Sequence, residues 1–270
     1  MGWIDKHIDD FLDSINNVRS RNTLLAYKKN LNNFARELGD NIFSSENIQK
    51  YLNLLEGSAS TKHSAKTAIK QLNQYLISKD ILSKDFTVGI KIPKIEERIN
   101  KMSEKIEEDK IYNYFDKNSK NSTRDITIAK ILLNTGCRII EVLNLKKKDI
   151  NLEENSIDII NSKGNKSRRV YMNESLKKQF SIFDISKLNK DDLIFPISYV
   201  TWNSKMRELS KKLGFEIRSH DTRRFYASKL NDKGVTTSNI CSILGHDSIE
   251  TTQRYIKMFE ENKKNIMMNV

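Results

Sequence analysis

Along the first ninety residues apolar side chains return every three or four positions. Ile4, Ile8, Phe11, Leu12 and Ile15 form one such series, and Leu24, Tyr27, Leu31, Phe34 and Leu38 a second. That spacing puts each series on one face of a helix. Gly39 ends the second series, as a residue free to take the left-handed backbone that closes a helix. A third helix is expected from Ser45 to about Leu55. A fourth is expected from Ser60 to Leu76, carried by Ala65, Ala68, Ile69, Leu72 and Leu76. Residues 1–88 therefore read as a helical domain. In residues 89–103, G-I-K-I-P-K-I-E-E-R-I-N-K-M-S, the pattern gives way to mixed charge and one of the chain's 2 prolines. This stretch reads as a linker.

A second domain is expected over 104–270. Ser103, with Glu104, Glu107 and Glu108 behind it, reads as a helix start whose acids face the positive end of the helix. Ile106 stands where a full capping box would need an acid or amide. An apolar helix from Ile126 to Asn134 stops at Thr135-Gly136, and a new helix carries Arg138, Ile139, Val142 and Leu143. Ser156 to Ile160 reads as a strand, S-K-G-N-K as a turn, and Arg168 to Met172 as the returning strand. Ser219 reads as the N-cap of a helix from Asp221 to Asn231 that ends before Gly234. Ile240 to Leu244 reads as a buried helix closed by Gly245, and Ser248 as the cap of a helix bearing Tyr255 on its second turn. The expected fold is mainly α with a small β-sheet or hairpin.

Charge narrows the choice of partner. The chain has 270 residues, 47 Lys and Arg against 35 Asp and Glu, and a net charge of +12. Both halves are basic, which suits a polyanion such as nucleic acid, although a lysine-rich composition alone also fits an ordinary solvated surface. Lys62, Lys66 and Lys70 stand at i, i+4 and i+8 with His63 beside them. They form one stripe, either a solvated helix face or a set of phosphate contacts. Cys137 and Cys241 sit in apolar helical contexts that suit reduced, buried thiols. There is no C-x-x-C and no Cys/His cluster at metal spacing. The N-terminus has acids where a signal peptide needs an apolar run, Lys6 where a myristoylation motif needs Ser or Thr, and no run is long enough to span a membrane. A cytoplasmic, nucleoid-associated protein without membrane partners is expected.

The chemistry concentrates in three places: T-G-C-R-I-I-E with Arg138, S-H-D-T-R-R with His220 and Arg223, and L-G-H-D-S-I-E-T-T-Q-R-Y with His246 and Tyr255. Arginines grip two phosphate oxygens at once, histidines move protons near neutral pH, and a tyrosine can hold a phosphoryl group covalently. Each residue alone has a blander reading: Arg138 as a surface ion pair with Glu141, His246 as a structural residue after a glycine cap, Tyr255 as a core aromatic. Together, in order, with T-G-C-R-I-I-E-V-L-N-L-K-K-K-D-I and S-K-G-N-K-S-R-R-V around them, they resemble the tyrosine recombinases of the phage-integrase family, in particular its short Xer-like members.

That resemblance is close over about 104–260, and implies a helical, SAM-like core-type DNA-binding domain followed by an α+β catalytic domain. It implies that Arg138, Lys163, His220, Arg223, His246 and Tyr255 are catalytic, with Lys163 the general acid, Lys166 its rival or a DNA contact, and Glu141 a support to Arg138. Tyr255 would form a 3′-phosphotyrosyl link on double-stranded DNA, with no metal or other cofactor. The tail 256–270, with Ile256, Phe259, Ile266 and Met267, would either pack on its own domain or pass to a neighbour in a homotetramer on two DNA sites. A type IB topoisomerase and a cleavage-silent DNA-binding protein are the alternative readings. Dimer resolution and mobile-element integration are both open.

Overall fold

The computed structural model describes residues 3–94, 106–160 and 167–245. The chain divides into two compact units, residues 1–98 and 99–270.

The first unit holds α1 (Trp3–Ser14), α2 (Arg21–Leu38), α3 (Ser45–Leu54) and α4 (Ala59–Ser78). Serines 20, 44 and 58 cap α2, α3 and α4, each hydroxyl accepting the N–H of the third helical residue. A serine cap supplies a partner that the helix itself lacks. Gly39 closes α2 at φ 54°. The apolar series face inward: Ile4, Ile8, Leu31, Phe34, Ala65, Ile69 and Leu72 are all buried. Phe34 meets Phe43 and Tyr51 edge-on, with ring centroids 5.7 and 5.2 Å away.

In the second unit α5 (Glu108–Asn118) and α6 (Ser122–Thr135) lead to the short α7 (Ile139–Leu143). The start of α5 differs from the expectation at Ser103. Residues 95–105 lie outside the described ones, and Ile106 and Glu107 are not helical. Ile106 is drawn into the apolar core, so Glu107 takes the extended N-cap conformation. A turn of 3₁₀ helix at Lys147–Asp149 enters a three-stranded antiparallel sheet of β1 (Ile150–Asn151), β2 (Ser156–Ile159) and β3 (Arg168–Tyr171). The strand from Arg168 returns as expected, with Ile157 paired to Val170 and Ile159 to Arg168. The two-residue β1 has too short a pattern to be read in advance.

After the sheet come α8 (Glu174–Ile182), α9 (Tyr199–Leu213), α10 (Ser219–Asp232) and α11 (Thr237–Leu244). Helix α6 is the hub, with α5, α7, α8 and α10 against it. Ile128, Ala129, Ile131, Leu132 and Leu133 are buried, covering most of its circumference. Buried on so many sides, the helix sits in the interior. The α10 boundary falls one residue from expectation. Arg218 is the N-cap, because Asp221 accepts its backbone N–H at 2.9 Å. The Ser219 hydroxyl instead accepts the indole N–H of buried Trp202 at 2.9 Å. Both cysteines are buried, and neither forms a disulfide. Among the described residues no helix is long and apolar enough to cross a membrane.

Candidate active site

Two glycine-closed helix ends create the site. Gly136 (φ 64°) ends α6 and Gly245 (φ 65°) ends α11, both left-handed. A Cβ on Gly136 would stand 2.6 Å from a Leu244 methyl and 2.7 Å from the Tyr226 ring. Only glycine lets these elements approach so closely. Arg223, at the start of the second turn of α10, is 1% exposed. It spans both ends, donating from Nη1 to the Gly136 carbonyl at 2.7 Å and from Nη2 to the Leu244 carbonyl at 2.5 Å. Those carbonyls have no partner within their own helices, so a buried cation satisfies them.

Arg138 follows Gly136 and Cys137. It is the N-cap of α7, not a residue within its first turn, and its side chain is 44% exposed. Glu141 accepts the Arg138 backbone N–H at 2.8 Å and its Nη1 at 2.9 Å. The ion pair and the open guanidinium thus coexist. Glu141 carries a second arginine that the sequence patterns did not single out. Arg168, first residue of β3, donates from Nη1 at 3.1 Å and from Nη2 at 2.7 Å to its two carboxylate oxygens. Burial by itself would raise the Glu141 carboxyl. The bonds and charge of Arg168, then the hydrogen bonds of Arg138, overcome it and hold the pKa at about 2.

Arg138, His220 and Arg223 line one open groove of about 720 Å³, together with Ile139, Met206, Ser219 and residues of the exposed α9 face. Burial first, then the charges of Arg138 and Arg168, push the Arg223 pKa down to about 10, which still leaves it a cation at neutral pH. Three guanidinium groups thus bear on a single central carboxylate. The His220 pKa is lowered by desolvation first and then by Arg224 and Arg223, against the opposing pull of Asp221. As a residue His220 is exposed. The same sign follows from the surrounding cations, which favour the neutral ring. Burial likewise raises the Cys137 thiol and the Tyr226 phenol, so neither is an anion here.

Arg224, the residue after Arg223, lies 3.6 Å from Asp221 and is half-buried. Lys163, Lys166, His246 and Tyr255 fall outside the described residues, as do Ser248 and the tail 256–270. In the first unit the lysine stripe is only partly open. Lys62 donates to the Asn53 carbonyl at 3.1 Å and Lys66 to the Ile90 carbonyl at 2.8 Å, while Lys70 is exposed. Among the described residues no group of three or more His, Cys, Asp or Glu side chains is arranged to hold a metal ion.

This mainly helical fold with a small antiparallel sheet is shared with solved DNA recombinases and integrases. The chain belongs to the phage integrase family, whose profile matches residues 101–262. Tyrosine recombinase XerA of Saccharolobus solfataricus is 28% identical over 229 residues, covering 82% of this chain and 77% of the relative. Tyrosine recombinase XerC of Staphylococcus aureus is 26% identical over 289 residues, covering 97% of this chain and 96% of the relative. A lambda integrase (75-356) dimer bound to a COC′ core site matches with a TM-score of 0.75 and 16% identity, over 91% of this chain and 95% of that one. XerH bound to a palindromic difH substrate, a post-cleavage complex, matches with a TM-score of 0.69 and 22% identity, over 90% and 78%. At such identities the structural likeness is one of fold.

Proposed function

We propose that the groove of Arg138, His220 and Arg223 seats a DNA phosphate and that Tyr255 is the nucleophile that attacks it. The chain is a tyrosine recombinase, an enzyme of site-specific DNA recombination. The observation that carries the site assignment is the surplus of positive charge: guanidinium groups held by one carboxylate and two carbonyls, with a neutral histidine beside them. An anion entering such a groove relieves repulsion between the arginines, and charge shifting onto its oxygens in the transition state relieves it further.

In this mechanism the Tyr255 phenolic oxygen bonds to phosphorus while the bond to the 5′ oxygen breaks. Arg138 and Arg223 hold the non-bridging oxygens. His220, neutral, takes up a proton or shares one with an oxygen, and His246 adds a hydrogen bond. Lys163 gives the leaving 5′ oxygen its proton, with Lys166 as the rival donor. One phosphodiester is exchanged for another, a 3′-phosphotyrosyl link, so a 5′-hydroxyl from a second strand can reverse the step on a new partner without an energy source. Residues 1–88 supply a helical clamp on the duplex, in which Lys70 is the open member of the lysine stripe. The tail 256–270 joins protomers into a homotetramer on two DNA sites. The enzyme works in the cytoplasm, at the nucleoid.

The test uses a duplex enriched by the full-length protein from a random pool and rebuilt as a nicked suicide substrate. Arg138→Ala and Arg223→Ala are each expected to slow covalent adduct formation at least ~10²-fold, the usual cost of losing a preorganised donor to developing charge. Near-normal rates from both would overturn the phosphate seat. A 5′-phosphorothiolate substrate, whose sulfur leaves without protonation, is expected to rescue Lys163→Ala; rescue of Lys166→Ala instead would move the general acid.

A further inference from the structure

Arg168 makes contacts that neither the strand it opens nor the core requires. Its side chain is 10% exposed and its partner Glu141 is 7% exposed, 27 residues away in sequence. The Glu141 carboxylate is full: it receives the two Arg168 nitrogens together with the backbone N–H and Nη1 of Arg138. The Arg168 guanidinium also lies 3.7 Å from the Cys137 sulfur. On its other side it underlies Gly245, where an added Cβ would come within 3.0 Å of Arg168 Cδ and 3.3 Å of its Nη1. One planar side chain thus touches the element that bears Arg138 and the residue immediately before His246. It does so from the strand that follows residues 160–167, where Lys163 and Lys166 stand.

Simple stability does not call for this arrangement. A buried ion pair is weak evidence of stabilisation, because an apolar pair of similar size often does as well. Arg168 Nε is moreover buried with no hydrogen-bond partner among the described residues. A cost of that kind marks a group kept for geometry.

We propose that Arg168 is a positioning residue of the recombinase. It acts through Glu141 to hold the Arg138 guanidinium at the groove, and it ties the return strand of the hairpin to the two glycine-closed helix ends. The inference rests on Arg138 being a phosphate ligand, as proposed above. Lysine at this position cannot reproduce it, since one ammonium cannot meet both carboxylate oxygens in a planar fork while lying flat under Gly245.

A double-mutant cycle on the full-length protein tests it, read as the rate of covalent adduct formation at saturating nicked suicide DNA. Arg168→Met and Arg168→Lys are each expected to slow that step about 10-fold or more, as a catalytic group misplaced by a fraction of an ångström does. DNA affinity is expected to change less than 3-fold. In an Arg138→Ala background the further loss from Arg168→Met should shrink to less than 3-fold, because its means of action is already gone. If Arg168→Met fails to fold for want of a partner to Glu141, the double variant Arg168→Met with Glu141→Gln removes the stranded charge and takes its place in the cycle. Equal losses with and without Arg138 would overturn the proposal and leave Arg168 a part of the scaffold. So would full activity in Arg168→Lys. Normal cleavage by Arg138→Ala itself is a different failure, that of the phosphate seat.

Discussion

Glu141 takes four hydrogen bonds from two arginines, and its acidity records them. The carboxyl is held at about 2 against an ordinary 4.5. A folded-state pKa below the unfolded one means that the unfolded chain binds more protons in between, so stability rises with pH there. The contribution is complete above about pH 4.5 and is lost as pH falls through about 2. The urea midpoint of the wild type is therefore expected to fall more steeply from pH 5 to pH 2.5 than that of the Arg168→Met, Glu141→Gln double variant. Parallel curves would contradict the strong pairing. The residues of this network also show what a sequence can reveal. Arg138 with Glu141 three positions on was legible, because the pair is local. Arg168 was not, because strand alternation says which way a side chain points but not which distant carboxylate it meets. Arg223 stood out by its spacing from His220, yet nothing in that spacing told of the two carbonyls it satisfies 87 and 21 residues away.

Among the elements, two helix ends hold the arginine groove together, and glycine is required at one of them for more than its backbone. Gly136 and Gly214 both close helices with positive φ, at 64° and 76°. Only at Gly136 would a Cβ collide, with Leu244 and Tyr226; at Gly214 nothing lies within 4 Å. Gly214→Ala is expected to cost about 1 kcal/mol, the left-handed backbone penalty alone. Gly136→Ala adds overpacking and is expected to cost about 3 kcal/mol or more, and to slow cleavage as well. Denaturant melts of the two variants check this, and equal losses would contradict the close packing of α6, α10 and α11. Most helices were legible, since long apolar periods survive into the fold. Their starts were less so. The α5 start moved because Ile106 is claimed by the core, and the α10 start because Asp221 caps Arg218 and Ser219 is taken by Trp202. The lysine stripe of α4 was legible as a stripe, but not the carbonyls of Asn53 and Ile90 that engage two of its members. Lys70→Ala is accordingly expected to lower the salt slope of DNA binding by about one without altering the melt. An unchanged slope would remove that face from the DNA interface.

For the molecule as a whole, a net charge of +12 fits a protein that holds a polyanion over an extended surface. A charged surface binds DNA; a phosphate seat with a nucleophile cuts it. If the tail joins protomers, truncation after Lys257 is expected to leave binding to one site intact and to abolish the two-site complex in a gel shift. Normal two-site assembly would place the joining surface elsewhere. Cutting itself is a covalent step. It is tested most directly by trapping the protein on nicked suicide DNA and separating the adduct in denaturing detergent. The wild type is expected to form a detergent-resistant adduct through the 3′ phosphate. Tyr255→Phe is expected to bind the same duplex with unchanged affinity and form none. An adduct from the phenylalanine variant would rule out Tyr255 as the nucleophile and turn attention to Tyr226, whose partly buried ring lies beside Gly136.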